Sequence, residues 1–191
     1  MQTTLTPDVL YAAYSQGYFP MPDETGEILW FRPDPRAIIP LDGFHLSRSL
    51  RRVVTRNTFS VTYDQAFSDV MRLCGKRQTT WINEEMRSAY EALHRTGHAR
   101  SVEIWSEDEL VGGVYGVHFG SVFFAESMFH RQANASKVAL YHLVTHLRER
   151  GFTLLECQFM TTHLHSLGAV EISESTYMEC LEKGLSQQAV F

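Results

Sequence analysis

The most restrictive feature of the sequence is a strand–helix–strand pattern between residues 123 and 172. It begins with an apolar strand that carries one acid, Glu126, and continues into a helix over about residues 134–150 with a stripe of leucines. A second strand, TLLECQF, then carries Glu156 and Gln158. Two such strands would bring carboxylates and an amide to one place, with the apolar helix beside them. This layout is typical of an acyl-transfer site with an apolar pocket.

The composition is that of a chain able to bury a substantial core. The 191 residues are 44% hydrophobic and 20% charged, which is ordinary for a soluble protein. No run of about 18 apolar residues is present, and the first residues lack the pattern of a signal peptide. Three widely spaced cysteines favour reduced thiols in the cytoplasm. The net charge of -5 argues against an extended nucleic-acid groove but allows a local basic patch.

The pattern of elements changes at about residue 57. Residues 1–57 contain a helix beginning at Thr6 and Pro7, a proline-rich stretch, and a basic helix over residues 44–56. They are interpreted as a small N-terminal α/β domain. Residues 58–191 follow the order strand, helix, helix, three antiparallel strands, helix, strand, helix, and form the predicted catalytic domain. The predicted fold class is α+β, with a mixed, largely antiparallel sheet flanked by helices.

That order is similar to the acyl-CoA-dependent N-acyltransferase fold. In that fold, the third helix follows a glycine-rich loop whose backbone amides bind pyrophosphate. The equivalent loop here, RQANASK at residues 131–137, contains no glycine. The sequence therefore predicts the acyltransferase scaffold without the coenzyme A site, and no cofactor is expected.

Nine short strings, in order along the chain, carry a more specific resemblance. They are YFPMP, ILWFRPDPRAIIPL, TWI, AYEALHRTGHARSVEIW, LVGGVYGV, ESMF, NASKVAL, CQ and SLGA. Together they resemble the bacterial leucyl/phenylalanyl-tRNA–protein transferases from about Tyr11 to Ile172. The resemblance implies transfer of Leu or Phe, with Met as a further donor, from aminoacyl-tRNA to the N-terminal Arg or Lys of a protein, which marks that protein for N-end-rule degradation. It also implies a cytoplasmic enzyme, and we expect a monomer that does not bind membranes.

Glu156 and Gln158 are the predicted catalytic pair. The family usually has Asp-Cys-Gln at this place, so Glu156 keeps the carboxylate on a side chain one methylene longer. Residues two apart on a strand face the same way, and Cys157 then faces the other. Alternatively, Glu156 is a surface or salt-bridged acid and Gln158 an ordinary polar residue at a strand edge. Cys157 is expected to be a packing residue, because no Cys–His–acid pattern surrounds it.

Glu126, together with Glu156, is predicted to receive the cationic side chain of the acceptor's N-terminal residue. The alternative for Glu126 is an acid at a helix N-terminus. The predicted aminoacyl pocket consists of five apolar residues that could also be plain core: Phe123, Met128, Leu140, Leu143 and Leu155. Trp30 and Trp81 resemble tryptophans that the family uses near the substrate, where they would stack on the terminal adenosine of tRNA. Buried structural tryptophans are the alternative.

Arg48, Arg51 and Arg52 lie on adjacent faces of the basic helix and are predicted to bind tRNA phosphates. The alternative is a solvated surface. The histidine pairs at 142 and 146 and at 163 and 165 lack further ligands at a convincing spacing, so no metal site is predicted. Three other functions remain open: an acyl-CoA N-acyltransferase, a transferase acting on N-terminal Asp or Glu, and a non-catalytic module that binds protein N-termini or RNA ends.

Overall fold

The computed structural model describes residues 5–23, 25–76 and 83–191, which form seven helices and nine strands. The helices are α1 (Pro7–Tyr14), α2 (Arg48–Thr55), α3 (Phe67–Cys74), α4 (Glu84–Arg95), α5 (Ala135–Glu149), α6 (Thr162–Ser166) and α7 (Glu174–Leu185). The strands are β1 (Phe19–Pro22), β2 (Ile28–Phe31), β3 (Arg36–Ile38), β4 (Ser60–Tyr63), β5 (Ala99–Ser106), β6 (Glu109–Phe119), β7 (Val122–His130), β8 (Leu154–Glu156) and β9 (Val170–Ile172). No helix in these described ranges is long and apolar enough to cross a membrane.

The strands form a seven-stranded mixed sheet and a separate two-stranded hairpin of β1 and β2. The order in the large sheet is β4-β5-β6-β7-β8-β3-β9. Neighbouring strands are antiparallel except β7 and β8, which are parallel. The helix α5 makes the connection between these two, as a parallel pair requires. The predicted strand–helix–strand pattern and the mixed sheet are therefore confirmed.

Two hydrophobic clusters cover the large sheet. One contains residues of α1, α3, α4 and α7, and the other contains residues of α2 and α5. Consecutive residues of β7 belong to different clusters: Phe123 packs with the α5 cluster and Phe124 with the other. Because successive side chains of a strand point to opposite faces, the sheet is buried on both sides here.

The start of α5 lies against the middle of the sheet because β6 has a glycine where the two meet. A Cβ at Gly112 would lie 2.6 Å from the Cβ of Ala135, the first residue of the helix. Such a distance is well inside van der Waals contact, so a side chain at Gly112 would push the helix away. Gly112 thus sets the position of the segment that connects β7 with the helix.

Several predicted element boundaries are corrected. The strand predicted over residues 153–159 ends at Glu156, because Gln158 has a left-handed backbone with a φ of 64°. The basic helix begins at Arg48, after the N-cap Ser47, rather than at residue 44. Asp64 lies just before α3, but its side chain does not cap the helix. Its carboxylate instead accepts hydrogen bonds from the backbone N–H of Ser101 and from Arg100.

The predicted division at residue 57 stays a prediction, although the sheet extends across it. Strand β3 comes from the first 57 residues and lies between β8 and β9. Its Ile38 is paired with Glu156 on one side and with Val170 on the other. The N-terminal part of the chain therefore supplies an inner strand of the main sheet.

Candidate active site

A cleft of about 250 Å³ opens where β7 and β8 separate. The two strands are paired from Val122 with Leu154 to Phe124 with Glu156. Beyond that point β7 continues, whereas the chain after β8 turns away. The gap is lined by residues of β7, of the segment after β8, and of four neighbouring elements: Met21, Val114, Ala125, Glu126, Ser127, Met128, Leu140, Cys157, Gln158, Phe159, Thr161 and Leu164. The lining is mainly apolar, with Glu126 and Gln158 among its few polar groups.

Glu126 is held in a network of buried hydrogen bonds. Tyr14 donates its hydroxyl to Oε1 at 2.5 Å, and Tyr90 donates to Oε2 at 3.2 Å. Gln158 Nε2 also donates to Oε2, at 3.2 Å. The two tyrosine oxygens are 2.5 Å apart. Helices α1 and α4 and the chain after β8 thus all converge on a carboxylate carried by a strand, so Glu126 is not the acid of a helix N-terminus.

The pKa of Glu126 is raised to about 8, mainly by burial and also by the nearby charge of Glu156, although the hydrogen bonds from Tyr14, Tyr90 and Gln158 act in the opposite direction. Burial also raises the pKa of both tyrosines well above the usual value, and the charge of Glu126 adds to this. The tyrosines therefore remain hydrogen-bond donors at neutral pH. The carboxyl group is able to exchange a proton near neutral pH, which suits acid–base chemistry.

Glu156 lies beneath the cleft and is fully buried. Its Oε1 is 2.9 Å from Nη1 of Arg36 and accepts the backbone N–H of Gln158 at 2.6 Å. Burial raises the pKa of Glu156, and the adjacent guanidinium of Arg36 opposes that effect. Glu156 and Gln158 are thus brought together as predicted. Of the alternatives for Glu156, the surface acid is wrong because the carboxylate is fully buried, whereas the salt-bridged acid is confirmed by the ion pair with Arg36.

The five residues of the predicted aminoacyl pocket separate into two groups. Met128 and Leu140 line the cleft. The other three are at most 1% exposed and belong to the core cluster that contains α5, outside the cleft lining of the described residues: Phe123, Leu143 and Leu155. Phe123 faces away from the cleft because it points to the α5 side of β7, where it packs near Phe152 and Phe191.

Trp30 is on strand β2 and is 38% exposed, so it is not a buried structural tryptophan. It does not line the cleft in the described structure, although the hairpin that carries it supplies Met21 to the lining. Trp81 lies outside the described residues. Phe159 is an exposed aromatic residue at the cleft that the sequence reasoning missed, and its ring contacts Phe19 and Phe31 of the hairpin.

The three predicted phosphate-binding arginines are exposed on α2, and the structure shows no ion pair to them from any described residue. The loop before α2 is joined to the cleft region by a hydrogen bond from His45 N to Leu167 O at 2.9 Å. Leu167 directly follows α6, whose Leu164 lines the cleft. The basic helix therefore lies next to an element that forms part of the cleft.

Sequence reasoning missed Arg36, Tyr14 and Tyr90. Arg36 is the only charged residue between Pro35 and Pro40 in an otherwise apolar stretch, and that context was a usable signal of a buried ion pair. Tyr14 and Tyr90 lie on the apolar faces of their helices, where nothing in the spacing distinguishes a hydrogen-bonding tyrosine from a packing residue.

Comparison with known families decides the class of protein to which the cleft belongs. Residues 38–182 match the model of the leucyl/phenylalanyl-tRNA protein transferases, and residues 3–34 match the model of their N-terminal domain. The chain belongs to this family. The predicted resemblance is therefore confirmed.

Relatives in the family are similar over nearly the whole chain. The leucyl/phenylalanyl-tRNA–protein transferase of Gloeobacter violaceus is 48% identical over 192 aligned positions, which cover 100% of both chains. That of Ruegeria pomeroyi is also 48% identical, over 98% of this chain and 90% of its own. Among solved structures, FemX aligns with a TM-score of 0.55 at 12% identity, over 87% of this chain and 66% of that one. The likeness to FemX concerns the fold alone and confirms the predicted acyltransferase-like class.

Proposed function

We propose that this protein transfers Leu or Phe, and also Met, from aminoacyl-tRNA to the N-terminal Arg or Lys of proteins. The observation that carries the proposal is the position of Glu126 and Gln158 at one wall of an apolar cleft. Membership of the transferase family supports the type of donor. We also propose that it acts as a monomer in the cytoplasm, where aminoacyl-tRNA is found, and that the products enter N-end-rule degradation.

The reaction needs little covalent chemistry from the enzyme. The acceptor's α-amine attacks the carbonyl carbon of the aminoacyl ester, a peptide bond forms, and the bond to the ribose oxygen breaks. The amine loses one proton and the departing ribose oxygen gains one. An N-terminal amine has a pKa near 8, so a useful fraction is neutral at cellular pH. Holding the amine and ester together can then contribute up to about 7–11 kcal/mol.

Glu126 and Gln158 are the groups closest to this chemistry in our proposal. A carboxyl group with a pKa of about 8 is matched to the amine and can take its proton. Gln158 orients the amine or the developing oxyanion. Glu156 lies beneath the cleft and holds Gln158 in place by accepting a hydrogen bond from its backbone N–H.

The aminoacyl side chain would lie among the apolar residues of the cleft. Met128 and Leu140 are central to this pocket, and Leu164 completes it. A methionine suits a pocket that must accept both Leu and Phe, because its flexible thioether repacks around either shape. Trp30 and Trp81 remain proposed contacts of the terminal adenosine, and Arg48, Arg51 and Arg52 remain proposed contacts of the acceptor stem.

We assign the preference for a cationic acceptor to Glu126, the one carboxylate among the described cleft residues, and no longer to Glu126 and Glu156 together, because Glu156 is fully buried and paired with Arg36. An approaching cation lowers the pKa of a neighbouring carboxyl and so favours its charged form. An acceptor with N-terminal Asp or Glu would instead favour the protonated form of Glu126 and would form no ion pair with it.

The proposal is tested by incubating the purified chain with leucyl-tRNA and a peptide that begins with Arg. The expected product is the same peptide with one additional leucyl residue at its N-terminus, detected by mass spectrometry and fragmentation. Peptides that begin with Asp, or with an acetylated Arg, should remain unmodified. Modification with acetyl-CoA in place of the tRNA would instead indicate a coenzyme-dependent acyltransferase. Binding of the peptide without any product would indicate the non-catalytic module.

A further inference from the structure

A buried arginine from the N-terminal part of the chain lies directly beneath the cleft. Arg36 is 1% exposed, and its Nη1 is 2.9 Å from Oε1 of Glu156. Its Nη2 donates to the carbonyl oxygen of Gly17 at 2.5 Å. Its Cζ lies 4.3 Å from the ring centroid of Tyr177 and 5.3 Å from that of Phe19. The guanidinium is therefore fixed by a carboxylate, a carbonyl and two aromatic rings.

The Glu156 oxygen that receives Arg36 also receives the backbone N–H of Gln158. That second hydrogen bond is 2.6 Å long. It holds Gln158 at a φ of 64°, a left-handed conformation that a residue other than glycine adopts only when its surroundings hold it there. The turn ends β8 and opens the cleft. It also places the Gln158 amide 3.2 Å from Glu126.

We propose that Arg36 is a positioning residue for aminoacyl transfer, which fixes Glu156, the turn at Gln158 and thereby the amide that contacts Glu126. The proposal rests on the transfer activity proposed above. The contacts of Arg36 fix both its position and its orientation, whereas neutralising Glu156 would require only a nearby positive charge. If Arg36 served only to neutralise Glu156, its loss would affect the free energy of unfolding without a specific effect on Gln158.

A double-mutant cycle between Arg36 and Gln158 separates the two roles. We expect Arg36→Met to lower kcat at least tenfold with little change in KM for leucyl-tRNA. In a Gln158→Ala background, the same substitution should lower kcat less than twofold further, because its effect passes through Gln158. Arg36→Lys, which keeps the ion pair, should recover part of the missing kcat. If Arg36→Met lowers kcat by the same factor in the Gln158→Ala background as in the wild type, the two residues act independently and the proposal is overturned.

Arg100 offers a control in a more exposed ion pair, since it pairs with Asp64 at 2.8 Å and lies 5.7 Å from the ring of Phe191, away from the cleft. Arg100→Met should reduce the melting temperature and leave kcat unchanged. Should Arg36→Met fail to fold, the variant Arg36→Met with Glu156→Gln takes its place, because it buries no unpaired charge. Its kcat is compared with that of Glu156→Gln alone: a kcat within threefold of that single variant would overturn the proposal, and a kcat more than threefold below it would support the proposal.

Hydrogen exchange tests the positioning role of Arg36 without measuring catalysis, so its outcome does not depend on the proposed transfer activity. The Gln158 backbone N–H is buried and bonded to Glu156, so its hydrogen exchange measured by NMR should be slow in the wild type. It should accelerate at least tenfold in Arg36→Met, or in the substitute double variant, and not in Arg100→Met. If the exchange rate at Gln158 is the same in Arg36→Met as in the wild type, the positioning role is refuted even if transfer is observed. If the wild type shows no transfer activity but exchange at Gln158 is still faster in Arg36→Met, Arg36 does position Gln158, and the proposed function is refuted instead.

Discussion

Glu126 is the residue whose environment departs most from that of an ordinary glutamate in water. Its carboxyl group is surrounded by Tyr14, Tyr90 and Gln158, and burial raises its pKa from a usual value near 4.5 to about 8. Between these two values the folded protein binds more protons than the unfolded chain. The stabilisation contributed by the protonated carboxyl is therefore complete below about pH 4.5 and is lost as the pH rises through 8.

We predict that this group makes the free energy of unfolding fall as the pH rises from 5 to 8, by up to about 1.4 kcal/mol per pH unit. Glu126→Gln should remove most of that slope. Urea unfolding of both proteins at several pH values measures the difference. Glu179→Gln, at an exposed residue of α7, is the control and should keep the wild-type slope. Equal slopes in the Glu126→Gln variant and the wild type would contradict the raised pKa.

Met128 and Leu143 form a matched pair for the aminoacyl pocket, because the sequence predicts both in its lining and only Met128 lines it in the structure. Met128→Ala should reduce the preference for leucyl over smaller donors by roughly 1–3 kcal/mol in relative kcat/KM. Leu143→Ala removes a fully buried side chain and should cost about 2–5 kcal/mol of stability with little change in donor preference. Kinetics with a series of aminoacyl-tRNAs and urea unfolding measure the two effects. If Leu143→Ala changed the donor preference and Met128→Ala changed only the stability, the aminoacyl pocket would lie elsewhere.

At the level of elements, helix α2 has one side that packs on the core and another that carries exposed arginines. One side of the helix is in contact with the core through Leu50, whereas Arg48, Arg51 and Arg52 are exposed. The helix contains no acid that would neutralise them. In a chain with a net charge of -5, such a concentration of cations is a local feature suited to phosphates.

Replacing the three arginines with Ala should raise KM for aminoacyl-tRNA. The slope of log binding constant against log salt should fall by about 0.9 for each phosphate that the variant no longer binds. An aminoacyl-adenosine donor lacks the acceptor stem and should be used equally well by the variant and the wild type. Arg148→Ala with Arg150→Ala, at the end of α5, is a control that should leave the slope unchanged. Loss of activity with the small donor would show that α2 is needed for folding instead.

At the scale of the whole molecule, the main question is whether the first 57 residues are separable. They supply β3 to the interior of the sheet and Arg36 to Glu156. Removing them would expose both neighbours of β3 and leave a buried carboxylate without its partner, which costs about 3–5 kcal/mol by itself.

We predict that residues 58–191 alone do not unfold cooperatively, whereas residues 35–191, which retain β3 and Arg36, keep more native structure. Circular dichroism and the dispersion of NMR amide signals compare the two fragments. A well-folded 58–191 fragment would instead support the independent domain that the sequence pattern suggests.

The sequence by itself determined the family and most of the elements, but not the short elements β1, β2, β3, α6 and β9. Local patterns were sufficient for the strands of residues 99–130, for the helix of residues 135–149 and for the helix start at Thr6, because hydrophobic periodicity and capping act over only a few residues. The sequence also named Glu126, Gln158 and Met128, which line the cleft in the structure, and Glu156, which lies beneath it; their roles stay predictions.

Only the tertiary structure decided how those residues are used. The partners of Glu126 come from positions 14, 90 and 158, and the partner of Glu156 comes from position 36, 120 residues away. Hydrophobic periodicity does not indicate which distant residues will be partners, since the apolar face of an element can be buried against any other apolar surface. The separation of Met128 from Phe123 and Leu143 has the same cause. All are apolar and suited to a core, and the opening between β7 and β8, set by the turn at Gln158, decides which of them meets the substrate cleft.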